Sequence, residues 1–129
     1  MKYRVSFLMA PPEVEAAIYT LPDTPAAKAW RSAGFAMGKS ADKFASDISR
    51  AAANGLYERV VNLDAADLED VFRLCNSIDS YWGDALPESA NAVFLKKGKL
   101  RSMSVGDIVD DGAGNYWAVA SFGFIPVSL

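Results

Sequence analysis

The sequence predicts a single α+β domain, with a mainly antiparallel sheet and three to four helices packed largely on one face. Three observations predict it: an alternating apolar strand near the start, capped amphipathic helices in the middle, and short strand-like segments separated by Gly and Asn turns towards the end. The 129 residues, 51% of them hydrophobic, suit one ordinary domain. Within it, 1–55 supplies a strand and helices, and 56–129 a further helix and the remaining strands. The alternative for the C-terminal strands is closure into a small barrel.

Tyr3, Val5, Phe7 and Met9 alternate with Arg4, Ser6 and Leu8, the pattern of a half-buried strand, and Pro11-Pro12 ends it. Pro12 opens a short helix in which Val14, Ala17, Ile18 and Leu21 share a face until Pro22-Asp23. Thr24-Pro25 is a second start, with Thr as N-cap and Pro at the first helical position; Trp30 anchors this helix and Gly34 ends it. Ser40 caps a third, whose stripe is Ala41, Phe44, Ala45, Ile48, Ala51 and Ala52. Lys43 and Asp47 pair outside that stripe, and Asn54-Gly55 supplies the left-handed stop.

Leu56–Leu63 reads as a strand around Val60-Val61. Asp64 then caps the strongest helix, with Leu68, Val71, Phe72, Cys75 and Ile78 on its apolar stripe and Glu69, Asp70 and Arg73 pointing away. Ser80–Asn91 is a loop. Strands return over Ala92–Leu95, Arg101–Asp110 and Tyr116–Val127, the last two joined through Asp111–Asn115, where Gly and Asn tolerate positive φ. Leu95, Met103, Val105, Ile108 and Val119 alternate with polar residues, which predicts a sheet solvated on its second side.

The composition removes whole function classes. With no His, the chain lacks the usual neutral-pH base and every His-dependent nucleophile, and with a single Cys it cannot build a zinc finger. No cofactor or metal is expected. Cys75 sits on an apolar stripe without an activating base, so its expected role is structural. Asp110-Asp111-Gly112 lacks the spaced acids of a calcium loop and reads as a solvated turn. At Gly106-Asp107 the chain must bend, and Asp107 is placed to accept backbone N–H bonds in the turn. No apolar run is long enough to span a bilayer, so the expectation is a cytoplasmic protein with no membrane partner.

Net charge is -3, which argues against strong general binding to nucleic acid. Acids dominate from Glu58 to Glu88, whereas Lys96, Lys97, Lys99 and Arg101 form a small basic spot suited to a few phosphates or an acidic partner. Tyr81-Trp82 lies in a loop among acids, a composition used at interfaces. The candidate partner-binding residues are therefore Glu69, Asp70, Arg73, Tyr81, Trp82 and Asp84.

The stretch Asp67–Asp79, followed by Arg101-Ser-Met-Ser-Val-Gly-Asp-Ile-Val109 and Ser121-Phe-Gly-Phe124, resembles a group of short proteins of bacterial phages, plasmids and integrative elements. Its C-terminal unit is similar to the YodL-like domain, with a Ser-x-Ser-Val-x-Asp strand and a closing Ser-x-Gly-Phe. The resemblance covers about half of the chain and implies provenance, with no catalytic residues to carry over. Together these readings predict a non-enzymatic accessory factor of a mobile element that binds a host or mobile-element protein. Inhibition of a defence component such as CRISPR interference is one form of that action. A nucleic-acid-associated module and a small His-free enzyme stay open as alternatives.

Overall fold

In the computed structural model, which describes residues 1–17, 22–77 and 80–129, the alternating N-terminal segment is a strand, β1 (Lys2–Leu8). Tyr3, Val5 and Phe7 are buried on one face and Leu8 on the other. Helix α1 (Pro12–Glu15) follows the Pro11-Pro12 signal but stops after one turn, with Ala16 as its C-cap and Ala17, expected on its face, already outside it; Ile18 and Leu21 lie outside the described residues. Helix α2 (Pro25–Ala33) starts as its sequence dictates, with Thr24 Oγ1 accepting the Ala27 amide at 3.1 Å. Its buried residues are Ala27, Ala29 and Ala33, while Trp30 packs only partly buried beside them. Helix α3 (Ala41–Ala53) is capped by Ser40, and Gly55 takes up the left-handed conformation just beyond its end.

The remaining elements are β2 (Tyr57–Asp64), α4 (Leu68–Leu74), a 3-10 turn (Glu88–Ala90), β3 (Val93–Phe94), β4 (Ile108–Asp110), β5 (Tyr116–Val119) and β6 (Phe124–Val127). The strands form one six-stranded sheet in the order β3-β2-β1-β4-β5-β6, and every neighbouring pair is antiparallel. The edges β3 and β6 do not meet, so the sheet stays open and no barrel forms. Between β1 and β2 the register slips: Val5 faces Val61 and Ser6 faces Arg59, leaving Val60 as an extra residue. This bulge lets consecutive Val60 and Val61 enter the same core.

Alternation along the strands divides the core in two. Tyr3, Val5, Phe7, Leu63, Val109 and Val119 meet Val71 and Leu74 of α4 and Cys75 at its C-cap, together with Trp82 and Met103. On the opposite face Leu8, Ile108, Ala118 and Val127 meet Ala29 and Ala33 of α2 and Phe44, Ile48 and Ala51 of α3. The two longest helices thus share one face, but the second face is also covered, by α4 and the Trp82 loop. That corrects the expectation of a solvated side.

Long-range partners also redraw several local expectations. Arg101–Asp110 is strand only from Ile108 onwards, and Tyr116–Val127 is a hairpin. The reversal comes at Ala120–Gly123, where the Ala120 amide donates to the Gly123 carbonyl at 2.8 Å and Gly123 has φ +75°. Asp64 ends β2, and the cap of α4 is Asp67, whose Oδ1 accepts the Asp70 amide at 2.8 Å. The helix is correspondingly shorter than expected, and Ile78 lies outside the described residues.

Two aspartates expected at the surface are interior. Asp110 is buried at the end of β4, paired with Arg4 Nε at 2.6 Å and accepting the Gly112 amide, so it anchors the Asp111–Asn115 turn to β1. Asp47 is buried as well: Lys43 Nζ lies 2.8 Å from Oδ1 and Lys39 Nζ 2.8 Å from Oδ2, with Arg50 at 3.6 Å. Burial pushes the Asp47 carboxyl up, but Lys39 and Lys43 together outweigh it and hold it below the usual carboxylate range. Among the described residues, no helix is long and apolar enough to cross a membrane.

Candidate functional site

The segment between Arg101 and Asp107 does not pair as a strand because its own side chains hold it as a loop. Asp107 is fully buried, and its carboxylate takes the Leu8 amide on Oδ1 and the Ser104 amide on Oδ2, each at 2.8 Å. Arg101 completes it with a two-pronged pair, Nη1 to Oδ2 at 2.7 Å and Nη2 to Oδ1 at 2.8 Å. The same guanidinium donates to the Leu8 carbonyl at 2.9 Å and lies 4.4 Å from the centre of the Phe7 ring. Burial pushes the Asp107 carboxyl up against the pull of Arg101 and the two amides.

This node fixes the loop against its neighbours. The Gly106 amide donates to the Val119 carbonyl and the Val119 amide to the Asp107 carbonyl, both at 2.9 Å, and Tyr57 Oη donates to the Gly106 carbonyl at 2.6 Å. Gly106 has φ +94°, and a Cβ there would stand 2.5 Å from the Ala33 carbonyl oxygen, so only glycine lets the loop reach the end of α2. The Ser-x-Ser-Val-x-Asp motif is therefore a self-capped loop.

What the loop positions is a cleft. Ser104 and Val105 form part of it, Val119, Ala120, Ser121, Gly123 and Phe124 of the β5–β6 hairpin another part, and Glu69 and Phe72 of α4 its wall. Its volume is about 560 Å³. Asp67 sets the phase of α4 so that Val71, Leu74 and Cys75 face the sheet, leaving Glu69 and Phe72, three residues apart, on the adjacent stripe. Phe72, expected in the core, is instead 38% exposed at the cleft. The hairpin turn lifts Phe122 into solvent, 97% exposed, where it borders a separate depression with Lys39, Phe44 and Ile125 that shares Ala120 and Ser121 with the cleft. Phe35 and Met37, just beyond α2, are exposed too, and Phe35 borders an adjoining depression that shares Ser104 and Val105 with the cleft.

The predicted site residues fare unequally. Trp82 is not a surface anchor: it is 2% exposed, its indole N–H donates to the Arg101 carbonyl at 2.9 Å, and its ring packs against Phe7, Tyr81 and Phe94. A buried N–H needs an acceptor, and the Arg101 carbonyl supplies one inside the core. Tyr81 is half-buried over it and accepts the Leu100 amide, while Asp84 stays exposed nearby. Arg101 is committed to Asp107 and is not free for a phosphate. Lys96 pairs with Glu58 at 3.0 Å and Lys99 lies over the Tyr81 ring, whereas Lys97 is exposed. Asp70 is turned inward along its own helix, accepting the Ala66 amide and pairing with Arg73; the Ala66 bond, then Arg73, holds its carboxyl below the usual range. Glu69 alone of the predicted set reaches the cleft.

Sequence reasoning missed Phe122, Phe124 and Val105. The available signal was Ser121-Phe122-Gly123, in which a Gly suited to positive φ follows an aromatic residue that no alternating strand would leave exposed on a turn. Among the described residues, no group of His, Cys, Asp and Glu side chains converges to hold a metal ion. The buried Asp47, Asp107 and Asp110 are each neutralised by a basic partner. No family model, curated protein or solved structure matches the chain.

Proposed function

We propose that the chain is a non-enzymatic protein-binding accessory factor that docks its partner at the end of the sheet where Phe72 lines the cleft and Phe122 stands on the adjoining hairpin turn. The observation that carries this reading is Phe122, a large aromatic side chain 97% exposed on the turn between the cleft and a second depression that shares Ala120 and Ser121 with it. Exposing such a group costs solubility, and aromatic anchors beside pockets are what dominate binding energy at protein interfaces. The three stretches that resemble proteins of phages, plasmids and integrative elements also converge here: Glu69 and Phe72 from the first, Ser104 and Val105 from the second, Ser121, Gly123 and Phe124 from the third. That convergence supports a role in a mobile element and a host protein as partner, with inhibition of a defence component, CRISPR interference included, as one form of it.

The test is partner capture from the host with tagged wild type, Phe72→Ser, Phe122→Ser and Lys97→Ser, followed by affinity measurement on the retained protein. Phe122→Ser should lower affinity on the order of thirtyfold, the weight of a 2 kcal/mol anchor, while Lys97→Ser should leave it unchanged. Equal affinity for wild type, Phe122→Ser and Phe72→Ser would overturn the reading.

A further inference from the structure

The cleft has one charge in its lining, and that charge lacks a counterpart. Phe72, Val105, Val119 and Phe124 make it apolar, Ser104 and Ser121 contribute hydroxyls, and Glu69 is the charged residue. Its acidic neighbours on α4 are engaged: Asp67 caps the helix, and Asp70 holds Arg73 and the Ala66 amide. Glu69 is exposed and makes no ion pair among the described residues. The nearby cations border adjoining depressions and have partners of their own, Arg101 with Asp107, Lys39 with Asp47, and Arg31 with Asp23.

We infer that the cleft recognises a short segment of its partner in which a large apolar side chain stands next to Lys or Arg. This rests on the protein-binding reading above and names the chemistry of what is bound. A recess of about 560 Å³ holds one or two side chains of a segment laid across it. The apolar side chain fills the space between Phe72 and Phe124, and the adjacent cation meets Glu69 at the edge. A second copy of this chain fits less well, because its own protruding turn, Ser121-Phe122-Gly123, brings an aromatic side chain but no cation. The net charge of -3 also sets two copies against each other.

The experiment is selection of short random peptides on immobilised wild-type protein, followed by Kd measurements with the enriched peptides against Glu69→Gln, Phe72→Ser and Phe122→Ser. The enriched peptides should pair an aromatic or long aliphatic residue with a neighbouring Lys or Arg. Phe72→Ser should weaken them tenfold or more. Glu69→Gln, which alters a solvent-exposed pair, should weaken them about two- to fivefold, with less effect at high salt. Phe122→Ser should weaken them as well, and because its side chain touches solvent in the free protein that loss cannot come from unfolding. Peptides that need Phe72 and Phe122 but carry no cation and ignore Glu69→Gln would overturn the inference while leaving the protein-binding reading intact. Peptides indifferent to Phe72 and Phe122 would overturn both. Absence of enrichment, or a Phe122-dependent dimer in sedimentation, would overturn the inference.

Discussion

Replacing Asp107 by Asn tests whether the loop that shapes the cleft is held by its buried ion pair. Each carboxylate oxygen serves one backbone amide and one arginine nitrogen: Oδ1 takes Leu8 and Nη2, and Oδ2 takes Ser104 and Nη1. An Asn side chain has one acceptor, so either orientation sets its NH₂ against a backbone N–H and a guanidinium. One buried N–H left unpaired costs about 1–3 kcal/mol, and losing the charge partner brings a broken buried pair to about 3–5 kcal/mol. Arg101 is 43% exposed in its side chain and regains water when released, which places the expected loss near the lower end, about 3 kcal/mol. In urea unfolding that lowers the midpoint by about 2 M for a slope of about 1.5 kcal/mol/M. Arg101→Met should cost more, because Asp107 has no access to water and cannot recover the same way. Its carboxyl, already pushed up by burial, then rises further. A carboxyl raised on folding binds its proton more tightly in the folded state, so Arg101→Met should gain stability as the pH falls through the raised value towards the ordinary carboxylate range and lose it as the pH rises. A loss below about 1 kcal/mol for both variants would refute the claim that this pair organises the loop.

Trp82→Ala should lower stability by about 3–5 kcal/mol in the same assay while leaving any surviving folded protein with unchanged partner affinity, because the ring belongs to the core. The Cys75 thiol, pushed up to about 12 by burial and then by the Asp107 charge, should react with a thiol reagent only at the rate of unfolding, so reaction within seconds in native buffer would contradict its placement. Asp47 is held below its ordinary value of 3.8, so its contribution to stability is present above that pH and is lost as the pH falls through the depressed value. Acid titration of Asp47→Asn should accordingly show a shallower loss of stability below pH 4 than wild type, measured by circular dichroism.

The elements that the sequence made legible are those decided within a few residues. Thr24-Pro25, Ser40 and Asn54-Gly55 mark helix ends through bonds to their own neighbours, and Asp111–Asn115 closes a turn with its own side chains. Asp107 was also readable as a turn residue accepting amides, although one of those amides, from Leu8, lies at the far end of the sequence. What the sequence could not reveal was decided by distant groups. Local charge made Arg101 look like part of a basic spot and Asp47 like half of a surface pair, yet each sits where the fold brings an opposite charge. Trp82 sits in a polar loop, and only the arrival of Phe7 and the Arg101 carbonyl makes its place interior. The cleft draws on three stretches far apart in sequence, so no local pattern announced it. Glu69 was found for its charge and not for its position.

The central position of β1 has a consequence for how the chain is made. Both neighbours of this strand lie downstream: β2 follows it across the helical region, and β4 pairs with it across an Arg4 to Asp110 separation of 106 residues. As the polypeptide leaves the ribosome, β1 can join β2 while the side that will receive β4 still shows unpaired backbone, next to the apolar face that carries Val5 and Phe7. At a synthesis rate of about 5–20 residues per second, that exposure lasts several seconds before β4 emerges. The nascent chain therefore passes through a stage with an open strand edge beside an incompletely covered apolar face, and its yield in the cell should depend on chaperone capacity during those seconds more than on the stability of the finished fold.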